Sequence, residues 1–293
     1  MTSHPQINAL DKEEDRIRVV AYSLWEEEGC PEGQPTDDSE MALALARSLA
    51  KEEGFDRDAI ASAYIAWRKS GPFDIGGTTS SGIAALAAGK NAKSESQSNG
   101  ALMRVSPVGI LAVGDPARAA ALARQDALLT HPHPVCQAAS AAYAAAIACG
   151  ISGGDAQAMW QAAYDHAGDD DAGEVIRARL EPALSTPPAD FQHQMGWVLT
   201  AFHNAFHWLM SRASLKDAVV ATVGSGGDTD TNGAICGALL GALKGRDAIP
   251  LQWRNAVLTC RPVAARSVHH PRPTDYWPDD ALDLAEALLT AAP

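Results

Sequence analysis

The stretch TDDSEMALALARSLAKEEG, Thr36 to Gly54, reads as one amphipathic α-helix with both ends marked. Met41, Leu45, Ala46 and Leu49 recur at the spacing that gathers apolar side chains on one helical face. Thr36, Asp37, Asp38 and Ser39 suit a helix N-terminus, and Gly54 can close the helix in a left-handed turn. The same periodicity continues outward. Upstream, Ile17 to Glu28 places Ile17, Val20, Ala21 and Leu24 on one face, with Gly29 and Pro31 as stops. Downstream, helices are expected from Asp58 to Trp67, over 116–129, 134–149, 155–167 and 172–180, from Met195 to Ala213 and Ile235 to Leu243, and over 279–291. Residues 89–100 (GKNAKSESQSNG) have no periodicity and read as a loop. Val and Ile are sparse, Ala dominates, and Ala is the best helix former. The expected fold is all-α, a single compact helical bundle.

Composition narrows the function. The 293 residues are 46% hydrophobic and 20% charged, enough for a sizeable core. A net charge of -13 without a basic stripe argues against nucleic acid as a partner. The five cysteines, Cys30, Cys136, Cys149, Cys236 and Cys260, are scattered and lack CxxC spacing, against a disulfide framework or zinc ribbon. The charged N-terminal segment lacks the apolar core of a signal peptide, and no run approaches ~18 apolar residues. A cytoplasmic protein with no membrane partner, monomeric, is the expectation.

Two clusters carry the chemistry. Gly226-Gly-Asp-Thr-Asp-Thr-Asn232 precedes a small, apolar run from Gly233 to Ala242. Asp228, Asp230 and Thr231 are hard oxygen donors of the kind that Mg²⁺, Mn²⁺ and Ca²⁺ prefer. Capping explains one such residue, whereas two Asp and two Thr in succession favour a cation site. Thr36-Asp-Asp-Ser-Glu40, taken alone, is an N-cap with acids in the first turn. Taken with the downstream motif, it is the other half of a binuclear site. Residues 168–171 (GDDD) read as a solvated turn. His203 and His207 share a helical face at zinc-ligand spacing, but no Glu follows His203, so packing is the expected role.

Together, TDDSEMALALARSL and GGDTDTNGAICGALLGA resemble the two signature segments of the ADP-ribosylglycohydrolases. Phe73-Asp-Ile-Gly-Gly-Thr-Thr79 and Asn99-Gly-Ala-Leu-Met-Arg-Val-Ser-Pro107 are similar to two further family segments. So are Leu129-Thr-His131, Gly196-Trp-Val-Leu199 and Arg272-Pro-Thr-Asp-Tyr-Trp-Pro278. The resemblance spans about residues 36–290 and implies the family's orthogonal helical bundle over 36–293. Residues 1–35 read as an N-terminal extension in place of the family's usual first helix.

The resemblance implies that Thr36, Asp37, Asp38, Asp228, Asp230 and Thr231 ligate two divalent cations, Mg²⁺ or Mn²⁺. Asp74 would sit beside the ribose, with Asp37, Asp38 and Asp74 as the catalytic set. Backbone amides at Asn99 and Gly100 would hold phosphate or ribose oxygens, and His131 the nucleotide. Trp197 stands where the family places an aromatic against adenine, although a core role fits it equally. The implied activity is hydrolysis of the glycosidic bond of ADP-ribosylated protein side chains, above all ADP-ribosylarginine, releasing ADP-ribose. The alternative is a catalytically weak ADP-ribose binder or an immunity-type protein that blocks an ADP-ribosylating toxin.

Overall fold

Helices that meet through alanine can approach closely, and the centre of this protein is built that way. The computed structural model describes residues 33–264 and 268–291. Among these residues there are thirteen α-helices and no strand. They are α1 Asp37–Lys51, α2 Arg57–Lys69, α3 Gly77–Ala87, α4 Ser106–Leu111, α5 Pro116–Thr130, α6 Pro134–Ile151 and α7 Ala156–His166. The chain continues through α8 Asp171–Ala183, α9 Val198–Met210, α10 Leu215–Gly224, α11 Thr229–Lys244, α12 Leu251–Leu258 and α13 Ala281–Thr290. One isolated backbone bridge joins Ser98 to Trp197.

Every helix expected within the described residues is present, while the one expected over Ile17 to Glu28 lies outside them, as does Cys30. Two boundaries move. The helix expected from Met195 starts at Val198, because Trp197 is held in the bridge to Ser98. The helix expected from Ile235 starts six residues earlier, at Thr229. Helices α3, α4, α10 and α12 were not anticipated. The α3 sequence GTTSSGIAALA opens with five residues of weak helix propensity, and α4 is only six residues long.

α6 is the hub. Its 18 residues have a mean hydropathy of 1.4, and 78% of it is buried. It is therefore long and apolar enough to cross a membrane, yet it lies inside the fold, packed by α4, α5, α7, α8, α9 and α11. The Tyr143 hydroxyl donates to the Ile235 carbonyl at 2.7 Å, tying α6 to α11. One continuous apolar cluster runs from Met41 and Trp67 through Tyr143 and Phe202 to Leu240 and Leu288.

Two buried ion pairs cross this core. Arg104 Nε donates to Asp126 Oδ2 at 3.0 Å, and Tyr64 donates to Asp126 Oδ1 at 2.6 Å. Arg272 forms a two-pronged pair with Glu40, at 2.7 and 2.8 Å. The segment that carries Arg272 runs across the back of α1. The Gln34 amide donates to the His270 carbonyl at 2.8 Å, and Arg47 donates to Asp280 and to the carbonyls of Asp275 and Trp277.

His203 and His207 meet the carbonyls of Thr186 and Ala183, at 2.9 and 3.1 Å. They fasten α9 to the C-terminal end of α8, the packing role expected of them. In 168–171, Asp170 accepts the Gly173 N–H at 2.9 Å and caps α8, beside the exposed Asp169 and Asp171.

Candidate active site

Side chains at helix N-caps ordinarily accept a backbone N–H of the first turn. Asp56, Asp115, Asp155, Asp170 and Ser214 all do so here. Thr36 and Asp228 hold the same N-cap position on α1 and α11 and accept none. The Thr36 hydroxyl instead donates to Asp38 Oδ2 at 2.9 Å, and Asp228 Oδ2 accepts from Asn99 Nδ2 at 2.7 Å. The two motifs stand at helix N-termini but do not serve as caps.

They meet instead at one cavity of about 250 Å³. Asp37 from α1, Asp74 from the loop before α3, and Asp228, Asp230 and Thr231 from the start of α11 line it, with Asn99, Gly100 and His131. The two clusters are almost 200 residues apart in sequence, and the packing of α1 and α11 across the core brings them together. Asp37 and Asp38 are buried, Asp228 is half-buried, and Asp74 and Asp230 are exposed. Thr36 and Asp38 are not part of the cavity wall; Asp38 feels the site through the charges of Asp37, Asp230 and Asp228, and Thr36 is joined to it through Asp38.

The charges are poorly compensated. Burial, then the charges of Asp74 and Asp230, push the Asp37 carboxyl up to about 7, against the opposing N–H of Gly76. Burial and the neighbouring Asp37 raise Asp38 well above the usual carboxylate range, and burial raises Asp228 as well. Asp38 Oδ1 is buried without a hydrogen-bond partner. Crowded carboxylates beside threonine hydroxyls form a hard-oxygen donor set, and an orphaned buried oxygen adds to it. Thus the residues fit a divalent cation. Among the described residues no three His, Cys, Asp or Glu side chains are drawn in around one point as a metal centre would draw them.

The opposite wall is the 3₁₀ turn Asn99–Ala101. Arg104 reaches up from the buried pair to the Gly100 carbonyl at 3.4 Å. A Cβ on Gly100 would come within 2.8 Å of Thr79 Oγ1 and 3.0 Å of His131 Nε2, so glycine is required for this approach. His131 is fully buried, its Nδ1 is 2.8 Å from Thr130 Oγ1, and its Nε2 has no partner. Burial and nearby Arg104 lower its pKa to about 3, so the ring is neutral. His131 thus leaves one uncommitted ring nitrogen beside the cavity.

Trp197 stands apart from the carboxylates. It lines an adjoining open groove of about 620 Å³ with Gln97, Gln194 and Met195, and Ser98 and Gly196 form the wall common to both spaces. Its ring nitrogen donates to Gln97 Oε1 at 3.0 Å, and the Arg179 guanidinium lies 4.9 Å from its ring centre. The lip of this groove is strained at Gln194, whose φ is 54°.

Several site residues escaped sequence reasoning. Gly76, Gly77, Thr78 and Thr79, at the start of α3, complete the cavity with Ser98 and Met103. The Asn99 side chain, not its amide alone, contacts Asp228. A helix recognised at α3 was the missing signal, because its N-terminus is what points this stretch at the cavity.

Comparisons with known proteins identify the family. A sequence model of the ADP-ribosylglycohydrolases matches residues 1–292. The chain is 31% identical over 229 residues to the ADP-ribosyl-[dinitrogen reductase] glycohydrolase of Rhodospirillum rubrum, covering 75% of this chain and 72% of that one. It is 28% identical over 237 residues to an uncharacterized protein of Archaeoglobus fulgidus, covering 75% and 74%. A solved structure described as an ADP-ribosylglycohydrolase-related protein complex superposes with a TM-score of 0.70 at 25% identity, covering 89% of this chain and 83% of that one. With both signature segments at one cavity and the match running along the whole length, the chain belongs to the ADP-ribosylglycohydrolase family.

Proposed function

We propose that this protein hydrolyses the glycosidic bond between ADP-ribose and a modified protein side chain, most readily ADP-ribosylarginine, with two divalent cations at the carboxylate cavity. The observation that carries the reading is the release of Thr36 and Asp228 from capping. Two helices forgo an interaction worth about 1 kcal/mol each, and their first turns supply Asp37, Asp228, Asp230 and Thr231 to one cavity. Thr36, Asp37, Asp38, Asp228, Asp230 and Thr231 would hold Mg²⁺ or Mn²⁺. When bound, the cations would supply Lewis-acid polarisation of the ribose hydroxyls and lower the pKa of a nearby water.

The chain's own residues account for the rest. Asn99 fixes Asp228 through its side-chain amide. Neutral His131, with Nε2 uncommitted, offers a hydrogen bond to the ribose or phosphate end of the nucleotide. The glycine at position 100 keeps that floor open. In the reaction a water oxygen adds to C1″ while the bond from C1″ to the acceptor nitrogen or oxygen breaks. Asp37 or Asp38 receives the water proton, and Asp74 orients the ribose or returns a proton to the leaving side chain. Surrounding carboxylates stabilise the positive charge that builds on the sugar.

The test is turnover. Proteins ADP-ribosylated at Arg or at Ser are incubated with Mg²⁺ or Mn²⁺, and with EDTA, and free ADP-ribose is measured. Release in the metal arms and not in EDTA supports the reading, and the faster substrate identifies the acceptor. Binding of ADP-ribose without release from either substrate refutes hydrolysis and favours a binding role.

A further inference from the structure

Asp37, Asp38 and Asp74 are delivered by two segments, Thr36 to Glu40 and Phe73 to Gly76, and no side-chain cap holds the helix that follows either one. The first turn of α1 has no side-chain cap, and the Thr36 hydroxyl donates to Asp38. Uncapped first turns fray, and two adjacent carboxylates there repel. Something else must hold them.

One guanidinium reaches the first segment and the residue that closes α2 ahead of the second. Arg272 Nε and Nη2 donate to the two oxygens of Glu40, which Trp67 Nε1 also meets at 2.7 Å. Arg272 Nη1 and Nη2 donate to the carbonyl and hydroxyl of Ser70, at 3.1 and 2.8 Å, four residues before Asp74. Nearby, the His270 ring stacks on Phe73 at 4.7 Å, and the His270 carbonyl accepts from Gln34, two residues before Thr36. The Tyr276 ring covers the guanidinium at 5.1 Å. These two segments, with the flanking residues Gln34 and Ser70, are thus each gripped at two points by a stretch roughly 200 to 230 residues away in sequence. We propose that residues 268–280 are a strap that sets the distance between Asp37, Asp38 and Asp74, with Arg272 as its positioning residue.

The inference deepens the hydrolase reading and rests on it for the purpose of the site, though not for the mechanics of the strap. A planar fork that holds two acceptors at once has no lysine equivalent. Arg272→Lys therefore keeps the charge and loses the span. In the full-length chain we expect amide hydrogen exchange at Glu40, Met41 and Ala42 to quicken about tenfold, while Ile60 in the Asp56-capped α2 is unchanged. Calorimetric Mn²⁺ affinity should fall by about tenfold, the scale on which supporting partners act on metal sites. The loss in turnover should fall on kcat more than on KM. Arg254→Lys, in the pair with Asp247 away from the strap, should leave Mn²⁺ affinity unchanged. Exchange that rises equally in α1 and α2, or in neither, overturns the strap. If Arg272→Lys does not fold, Ser70→Ala removes only the bonds of one hydroxyl, to Arg272, Tyr276 and the Trp67 carbonyl, and the same measurements decide. A wild-type protein that neither binds Mn²⁺ nor releases ADP-ribose refutes the hydrolase reading, and the exchange comparison then judges the strap alone.

Discussion

Asp37→Asn should make the metal-free protein more stable, in a manner set by pH. Folding raises the Asp37 carboxyl from 3.8 to about 7, through burial first and then Asp74, Asp230 and Asp228. An acid raised by folding favours the folded state when protonated and opposes it when ionised. The penalty is absent below pH 3.8, grows between 3.8 and 7, and is complete above 7. At ~1.4 kcal/mol per pKa unit the full penalty is roughly 4 kcal/mol, an upper value if the side chain can turn toward solvent. Asparagine removes the charge and still accepts from the Gly76 N–H. In EDTA at pH 8 the variant should therefore exceed wild type by up to ~4 kcal/mol, a Tm increase on the order of 10 °C for a domain of this size. The gain should vanish near pH 4. Saturating Mn²⁺ should reverse the ranking, because a ligand bound only by the folded state stabilises it and the variant holds that ligand poorly. Thermal unfolding at pH 4 and pH 8, with EDTA and with Mn²⁺, provides the comparison. A variant equal to or less stable than wild type at pH 8 in EDTA would show that the carboxylates are not crowded as described.

Asp37→Ala and Asp230→Ala should each abolish nearly all ADP-ribose release, and the double variant should be hardly worse, as for members of one assembly; multiplicative losses would mean the clusters act separately. Asp56→Ala should cost about 1 kcal/mol in urea unfolding and leave Mn²⁺ binding intact, whereas Thr36→Ala should weaken Mn²⁺ binding, the opposite pattern refuting the distinction between capping and site residues. Gly100→Ala should weaken ADP-ribose binding at least tenfold by calorimetry at a stability cost of ~1–3 kcal/mol, since its Cβ has to displace Thr79 and His131. His203→Gln should leave the metal content unchanged by elemental analysis, and loss of a bound zinc would reassign that residue.

What could be read from the sequence follows from how local each signal is. The helix at α1 was legible because its apolar stripe and both end signals lie within nineteen residues. Most others followed from periodicity alone. Helix α3 was hidden because its stability comes from packing, with Gly82 and Ile83 buried, while its first five residues have little helix propensity. That omission hid Gly76 to Thr79 as cavity residues. The pairing of the two acidic clusters was proposed from their composition and from family resemblance, and the cavity brings most of that set together. Trp197, by contrast, lies in the adjoining groove, and nothing in its local sequence separates a groove wall from a core position. The Arg272–Glu40 pair was beyond reach, because no pattern at either position specifies a partner 232 residues away.

The alanine-built hub has a consequence for how this fold can change. Between Ala138 and Ala148, α6 carries eight alanines among eleven residues, nearly all fully buried. A methyl group has no rotamers to lose on folding and none to exchange for another when a neighbour changes shape. Tolerance at the hub is therefore one-sided. Enlarging any of these alanines presses on a neighbouring helix, because the two larger side chains of the stretch, Tyr143 and Ile147, are themselves buried, and trimming one leaves only glycine. Sequence drift should accumulate in the outer helices, while the spacing around α6 stays fixed like the bearing of a wheel. Asp228 and Asp230, mounted on α11, which packs directly on that bearing, inherit its rigidity.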